Sequence, residues 1–447
     1  MTDELMTLLP FGLVIAVALL VILADLFWPK RDDLILGIGL AGLLAALAAT
    51  LLIGPLPGGL GLLADGGSVG DPALYARDLL TVLLDVVLIS VALLTLLFAP
   101  DYLAPRKLPL AEFTATLLFA ISGGMLISGG QDLLILFIGL ELLVLPGYLL
   151  AGFAKRDGLS TEGAVKYFLL GSFSSAILLF GLAFVFGFTG STQAAGVAEA
   201  LRDVLNGGAA LPLALAMGLA LLAVGVLFKI AAVPFHYWTP DAYQGSPTPV
   251  TGYLSVGPKI AAFALILRIF VEALEPLRGE WALIIGVLAA ITMTVGNLAA
   301  LGQDNIKRML AYSSIAHTGY IMVGLVVFAL ADSEEVAASG VQGVLFYSVA
   351  YAFMNLGAFA VVAALQRRPG VTSQISTFSG LGYRAPVLAL TMTIFLLSLT
   401  GIPPLAGFFA KAIVVLSALE VGGAMTLLAV IMMLNAAMAA FYYLRVV

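Results

Sequence analysis

FKIAAVPFHYWTPDAYQGSPTPVTGYLSVGPKIAAF, residues 228–263, runs from the end of one apolar helix through a polar, proline-rich passage into another. Proline lacks a backbone donor and crowds the preceding turn, so Pro234 ends the first helix and the passage to Pro249 is an interruption. Lys229 stands just before the break, and Lys259 about ten residues into the next helix, too deep to snorkel easily. A cation at the centre of a bilayer costs at least ~2.5–3.5 kcal/mol, so an intramembrane lysine is a functional feature by default. Lys411, in GFFAKAIVVLSALE, and Glu141, in LLILFIGLELLVLP, complete a set of four charges that reads as a proton path. A structural ion pair or a carbonyl contact is the competing reading for each lysine.

Composition supports the membrane setting. The 447 residues are 62% hydrophobic and 10% charged, a balance that soluble globular chains do not show. Apolar segments fall near 5–27, 34–54, 79–98, 112–129, 131–151, 162–188, 211–231, 249–271, 281–301, 306–330, 338–365, 386–422 and 425–447. The fold class is therefore all-α and polytopic, with about thirteen transmembrane helices. The seventh is broken at Pro234 and the twelfth at Gly401-Ile402-Pro403-Pro404. Irregular backbone at membrane depth survives only where it is buried in protein or faces water, so both breaks point to an internal hydrated path. The acidic start, MTDELMTLLPFGLVIAVALLVILADLF, lacks the basic flank and cleavage site of a signal peptide and reads as the first span.

Charge orients the chain. Lys30, Arg31, Arg106, Lys107, Lys155, Arg156, Lys307, Arg308, Arg367, Arg368, Arg384 and Arg445 fall on one side, and only Arg77, Arg202 and Arg278 on the other. The positive-inside rule then places the N-terminus outside the cytoplasm, periplasmic in a bacterial inner membrane, and residue 447 at the cytoplasmic face. Arg268, near the outer end of its helix, is expected to snorkel. Lys166, a turn into the sixth span, is a candidate entrance to the path. His236 and His317 are candidate relays, because imidazole titrates near neutral pH. Asp85 and Asp132 read as interfacial or structural, Asp241 as the cap of a short helix after the break, and Gly123-Gly124 as a site of close helix packing.

Cysteine is absent, which excludes thiolate metal sites and cysteine-ligated iron–sulfur clusters in this chain. No phosphate loop, dinucleotide fingerprint, haem ligand set or basic stripe for nucleic acid is present. Moving one charge against 100 mV costs about 2.3 kcal/mol, so the energy for a pump must come from elsewhere.

STEGAVKYFLLGSFSSAILLFGLAFVFGFTGST (160–192), the 228–263 run, GNLAALGQDNIKRMLAYSSIAHTGYIMVGL (296–325), YSVAYAFMNLGAF (347–359) and GIPPLAGFFAKAIVV (401–415) resemble one family. It is that of the antiporter-like, Mrp-related membrane subunits of proton-pumping NADH–quinone oxidoreductase, respiratory complex I. The 160–192 stretch favours the N-subunit branch. Residues 1–110 resemble the family mainly in hydropathy.

The resemblance implies a fold of two inverted five-helix repeats. They are 111–275 (helices 4–8, broken helix 7) and 276–447 (helices 9–13, broken helix 12), after N-terminal helices 1–3 in 1–110. It also matches Glu141 to the fifth-helix glutamate, Lys229 to its broken-helix partner, Lys259 to the central lysine and Lys411 to the terminal one. His236 matches the histidine just past the first break. Lys229 precedes its break and Lys411 follows its own, so the repeat shows in architecture and not in residue register. The family core has fourteen helices; a chain ending after the thirteenth is expected to be a truncation.

The implied function is a non-redox, proton-translocating subunit with no cofactor and no metal of its own. NADH, flavin, iron–sulfur clusters and quinone would be handled by partner subunits, and the partners are other membrane-arm subunits and the lipid bilayer. A monovalent cation/proton antiporter of the Mrp type and a purely structural membrane scaffold are the alternatives.

Overall fold

The structure is a computed structural model, and it describes residues 2–55, 67–69, 74–207, 211–368 and 370–447. The helices are α1 (Thr2–Phe27), α2 (Asp32–Ile53), α3 (Leu79–Leu103), α4 (Leu110–Gly129), α5 (Leu133–Ala151), α6 (Gly158–Thr189), α7 (Ala194–Asn206), α8 (Leu213–Lys229) and α9 (Trp238–Gly245). They continue with α10 (Thr248–Ile266), α11 (Arg278–Leu301), α12 (Ile306–Leu330), α13 (Glu334–Leu365), α14 (Leu381–Arg384), α15 (Pro386–Thr400), α16 (Ala406–Val421) and α17 (Ala424–Val446). In lipid every backbone N–H and C=O must be satisfied internally, and the α-helix does this within one segment.

Among the described residues, eleven helices are long and apolar enough to cross a membrane, while Leu213–Lys229 and Pro386–Thr400 are shorter apolar helices. Those two are the segments expected to be broken. Outward-facing side chains such as Leu149, Phe173 and Leu283 are exposed and apolar, the surface that suits lipid. The chain is a multi-pass membrane protein.

A small hairpin and the helix α7 lie between the apolar helices. A small antiparallel hairpin pairs Gly67–Val69 with Tyr75–Arg77. Helix α7 is amphipathic: it buries Ala194, Val197, Ala198 and Leu201 at helical spacing and turns Arg202 outward. It packs against Leu267–Ala273, where α10 continues in a π-helical turn.

Two compact units divide the chain. The first comprises residues 1–154, 168–226 and 257–276, and the second 155–167, 227–256 and 277–447. Within the first, α4 packs on α1, α3 and α5. Gly123 permits the last contact, because a Cβ there would stand 2.3 Å from the backbone nitrogen of Leu143. The close packing expected at Gly123 is thus present. Within the second, α12 is the central helix, packed by α9, α11, α13, α16 and α17.

Local chemistry sets where helices start. Asp78 accepts from Thr81 N at 2.8 Å, Asp132 from Leu134 N at 2.8 Å, and Asn305 from Lys307 N at 3.0 Å. Each N-cap satisfies a donor that the helix cannot.

The two breaks are built alike. α8 ends with Ala232 N bonded to the Leu227 carbonyl and Ala231 N to the Phe228 carbonyl, a Schellman closure with Ala231 in the left-handed conformation at φ 59°. α15 ends with Ile402 N on the Leu397 carbonyl and Gly401 N on the Ser398 carbonyl, Gly401 lying at φ 93°. One turn on, Phe235 N bonds Ala232 O as Leu405 N bonds Ile402 O. Ala231 therefore corresponds to Gly401, and Lys229 to Leu399. A register between the breaks exists after all. It was hidden because the two lysines sit at different places along it.

A left-handed alanine costs roughly 1 kcal/mol that glycine does not incur. Ala231→Gly should raise the midpoint of thermal unfolding in mild detergent by the equivalent of about 1 kcal/mol, and Ala231→Val should lower it. An unchanged midpoint in both would show that the closure does not limit stability.

Candidate functional site

The candidate charges divide between the units. Glu141 and Lys259 fall in the first, and Lys229, Lys411, His236, His317 and Lys166 in the second.

In the first unit, Glu141 lies on α5 just before Leu142, whose carbonyl loses its helical donor because Pro146 has no N–H. The Glu141 Oε1 atom is shielded from solvent and has no hydrogen-bond partner among the described residues. A buried acceptor in that condition is costly. Lys259 follows Gly257 and Pro258 on α10 and is only 4% exposed.

Nine residues further along α10, Arg268 overturns an expectation. It does not snorkel. Its guanidinium is fully buried and bonds Asp78 Oδ2 at 2.7 Å, Glu272 Oε1 at 2.7 Å and the Ser128 carbonyl at 2.8 Å. The reason is that Asp78 and Glu272 offer it charged partners inside the protein, a better exchange than dragging a helix end toward water. Asp85 joins the same region: Ser128 Oγ donates to it at 2.8 Å and Arg77 at 3.4 Å. It is buried, as a structural reading expects. Asp132 is likewise structural, holding Leu134 N at 2.8 Å and the Thr192 hydroxyl at 2.5 Å.

In the second unit, Lys411 of α16 reaches back across its break and donates to the carbonyls of Leu399 at 3.0 Å and Thr400 at 2.6 Å. Those are carbonyls that the end of α15 leaves without helical donors, and the negative end of a helix dipole favours a cation there. The carbonyl contact weighed for this lysine is thus present. Lys411 Nζ also stands 5.2 Å from the Tyr320 ring centroid.

Lys229 occupies the last turn of α8, buried, where the corresponding residue of the second break is Leu399. The Ile230 carbonyl beside it accepts from the Thr318 hydroxyl at 2.9 Å. His236, past the break, is buried with its ring 4.5 Å from that of Tyr237, and its Nδ1 has no hydrogen-bond partner among the described residues.

His317 is embedded in a polar chain that the sequence did not reveal. Tyr347 OH lies 2.9 Å from its Nδ1 and Tyr443 OH 3.1 Å from its Nε2, and Ser313 makes a short contact to Tyr443. Tyr320 OH accepts from Asn297 at 2.7 Å, and Tyr442 donates to Asn297 at 2.9 Å. A hydroxyl–imidazole–hydroxyl string can pass a proton by successive hydrogen-bond exchange. The i, i+4 pair Ser313 and His317 was the one signal available. Tyr347 and Tyr443 lie 30 and 126 residues away in sequence, so only the fold brings them to His317.

Lys166 is 43% exposed and pairs with Glu162 at 2.6 Å and Asp241 at 2.7 Å. Asp241 does not cap its helix. It sits in the first turn of α9, after Tyr237 at the N-cap, and also binds Arg308 of α12 at 2.7 Å. Burial draws the Asp241 carboxyl upward, but hydrogen bonds from Lys166 and Arg308 outweigh it and hold the group below the ordinary carboxylate range. The cap was misassigned because Asp241 resembles a cap in sequence, whereas the long cations of α6 and α12 only reach it in the fold.

Removing a partner from a buried ion pair leaves an uncompensated charge, at a cost of ~3–5 kcal/mol. Arg268→Ala should therefore lower the detergent unfolding midpoint by the equivalent of ~3–5 kcal/mol. A snorkelling arginine would leave it nearly unchanged.

Comparison with known proteins comes to the same family. Residues 130–438 match the family model for NADH:quinone oxidoreductase/Mrp antiporter, TM. The NADH-quinone oxidoreductase subunit N of Trichlorobacter lovleyi is 42% identical over 370 residues, 83% of this chain and 73% of that protein. A chain of respiratory complex I from Thermus thermophilus superposes with a TM-score of 0.75 at 31% identity, over 97% of this chain and 88% of its own. The Mrp complex of Dietzia sp. gives 0.81 at 23% identity over 100% and 79%, a likeness of fold alone. The chain belongs to the NADH:quinone oxidoreductase/Mrp antiporter family of transmembrane proteins.

Proposed function

We propose that the chain is a proton-translocating membrane subunit of an NADH–quinone oxidoreductase, a part of that enzyme which holds no redox centre itself. The observation that carries this reading is a pair of matching helix breaks with buried lysines at them, in a chain 42% identical to an oxidoreductase N subunit. NADH, flavin, iron–sulfur clusters and quinone belong to partner subunits, and other membrane-arm subunits are its neighbours.

Glu141, Lys229, Lys259 and Lys411 carry the proton path, with His236, His317 and Lys166 as relays. Carboxylates or helix-end carbonyls beside a lysine can hold its ammonium form. Small changes near each lysine therefore switch it between holding and releasing a proton. His317, with a tyrosine hydroxyl at each ring nitrogen, is equipped to hand a proton on. Lys166 has the exposure of an entrance, and its ion pairs with Glu162 and Asp241 would hold a cation there. The repeats are 111–275 and 276–447, following helices 1–3. The membrane is a bacterial inner membrane, as in the bacterial relatives, and the lysine and arginine bias supports a periplasmic N-terminus with residue 447 cytoplasmic.

A monovalent cation/proton antiporter of the Mrp type is the second reading, favoured by the shared fold of the Dietzia Mrp complex. In membrane vesicles carrying the assembled complex, Lys259→Ala should cut NADH-driven proton uptake by roughly tenfold or more, the scale of a positioned proton-transfer group. Quinone reduction should fall with it while a native gel shows intact assembly. Wild-type pumping would sink the path. Loss of cation-driven proton exchange without any effect on NADH oxidation would favour the antiporter.

A further inference from the structure

We propose that Tyr320 is a positioning residue for Lys411: the face of its ring is the third wall of the seat that holds the ammonium at the second break. The proposal rests on the proton-path reading and deepens it at one of the four charges.

An ammonium has three N–H donors and no acceptor. That of Lys411 donates to the Leu399 carbonyl at 3.0 Å and to the Thr400 carbonyl at 2.6 Å. The other described contact of the cation is the Tyr320 ring, whose centroid lies 5.2 Å from Nζ. The face of an aromatic ring is its negative side, and it attracts a cation within about 6 Å of the centroid, more strongly where water is excluded. Water is excluded here: Lys411 is 5% exposed and Tyr320 fully buried. Gly401 leaves room for the lysine stem, since a Cβ there would stand 3.0 Å from Lys411 Cδ. No carboxylate is among the contacts described for this ammonium, so its three walls are all neutral. A buried carboxylate partner would be stranded as an unpaired charge each time the lysine gave up its proton. Two carbonyls and a ring hold the cation without that consequence, which suits a lysine that releases and regains a proton.

The ring is held in place from its hydroxyl end. Tyr320 OH accepts from Asn297 Nδ2 of α11 at 2.7 Å. That amide also donates to the Met293 carbonyl one turn back at 2.8 Å, and its oxygen accepts from Tyr442 OH of α17 at 2.9 Å. Asn435 of α17 accepts from the same amide at 3.2 Å and donates to Thr294 of α11 at 3.1 Å. Asn297, Tyr320 and Tyr442 are at most 1% exposed, so little can loosen this arrangement from outside. At its side, the His317 ring meets that of Tyr320 edge-on, with centroids 5.5 Å apart and planes at 84°. The ring is therefore fixed by α11, α12 and α17, and α16 lays its lysine against it.

Electron density can be drawn from a ring face while its shape is kept, by replacing ring hydrogens with fluorine. In vesicles bearing the assembled complex, initial rates of NADH-driven proton uptake should be compared for Tyr320→Phe and for phenylalanines with one, two and three ring fluorines placed at position 320. Lys411→Ala is the control, and a native gel reports assembly. Each fluorine weakens the hold of the ring on a cation, and a weaker seat loads the lysine less often. Uptake should fall stepwise along the series, by about tenfold from no fluorine to three, the scale of a desolvated cation–π contact. A ring that only fills space responds to shape and apolarity, which the series preserves, and gives a flat line.

A flat series beside a dead Lys411→Ala would overturn this proposal alone. Wild-type uptake by Lys411→Ala would overturn the path reading on which it rests. Should the trifluorinated side chain prevent assembly, the order of the other three variants decides by the same criterion.

Discussion

A helix that stops inside a membrane leaves carbonyls that neither lipid nor water will satisfy, and much of the second unit is arranged around that fact. α8 stops at Lys229 and α15 at Thr400. Each folds its last turn into a Schellman closure, which absorbs two carbonyls with backbone donors. What remains must be met by side chains, and those side chains are the interesting ones. The second break draws in Lys411 and the first Thr318, while the Trp238 indole adds a second donor, at 3.4 Å, to the Phe228 carbonyl already held by the closure. A structural debt of the backbone has become a set of places where a cation can be held.

The same logic explains why α12 is so polar for a buried helix. Ser313, Ser314, His317, Thr318 and Tyr320 are all buried on it, which in lipid would be prohibitive. Here each finds a neighbour: His317 has two tyrosines, Tyr320 has Asn297, and Thr318 has a helix end. The polar groups satisfy one another, which offsets the cost of burying them. By contrast the Arg268 cluster in the first unit is saturated by Asp78, Glu272 and the Ser128 carbonyl and reads as a fixed clamp.

Much was legible without coordinates. A run of apolar residues near 20 long has few options in lipid, so hydropathy and proline pointed to the apolar helices and to both interruptions, and eleven described helices are long and apolar enough to cross. The four intramembrane charges stood out because each is expensive where it sits. The PFHYWTPDAYQGSPTPV run pointed to the family, and the match over 130–438 agrees. Errors arose where a side chain's partner comes from far along the chain. Arg268 was read as snorkelling because Asp78, 190 residues away, cannot be seen to approach it. Asp241 was read as a cap because Lys166 and Arg308 lie 75 and 67 residues off. Helix α7 escaped notice because its apolar stripe is one face of a short polar segment.

The division has a physical cause. Hydropathy, proline and the cost of buried charge act on a residue through the solvent and its own backbone, so the sequence by itself determined the all-α membrane class, the spans, the two breaks and the residues that demand an explanation. Which carbonyl faces which donor depends on helices meeting side by side. Only the tertiary structure decided that Lys411 rests on Leu399 and Thr400, that Thr318 closes the end of α8, and that His317 lies between Tyr347 and Tyr443. It also recovered the register between the breaks, which residue identity had concealed. Hydrogen bonds of the main chain repeat there although the side chains do not.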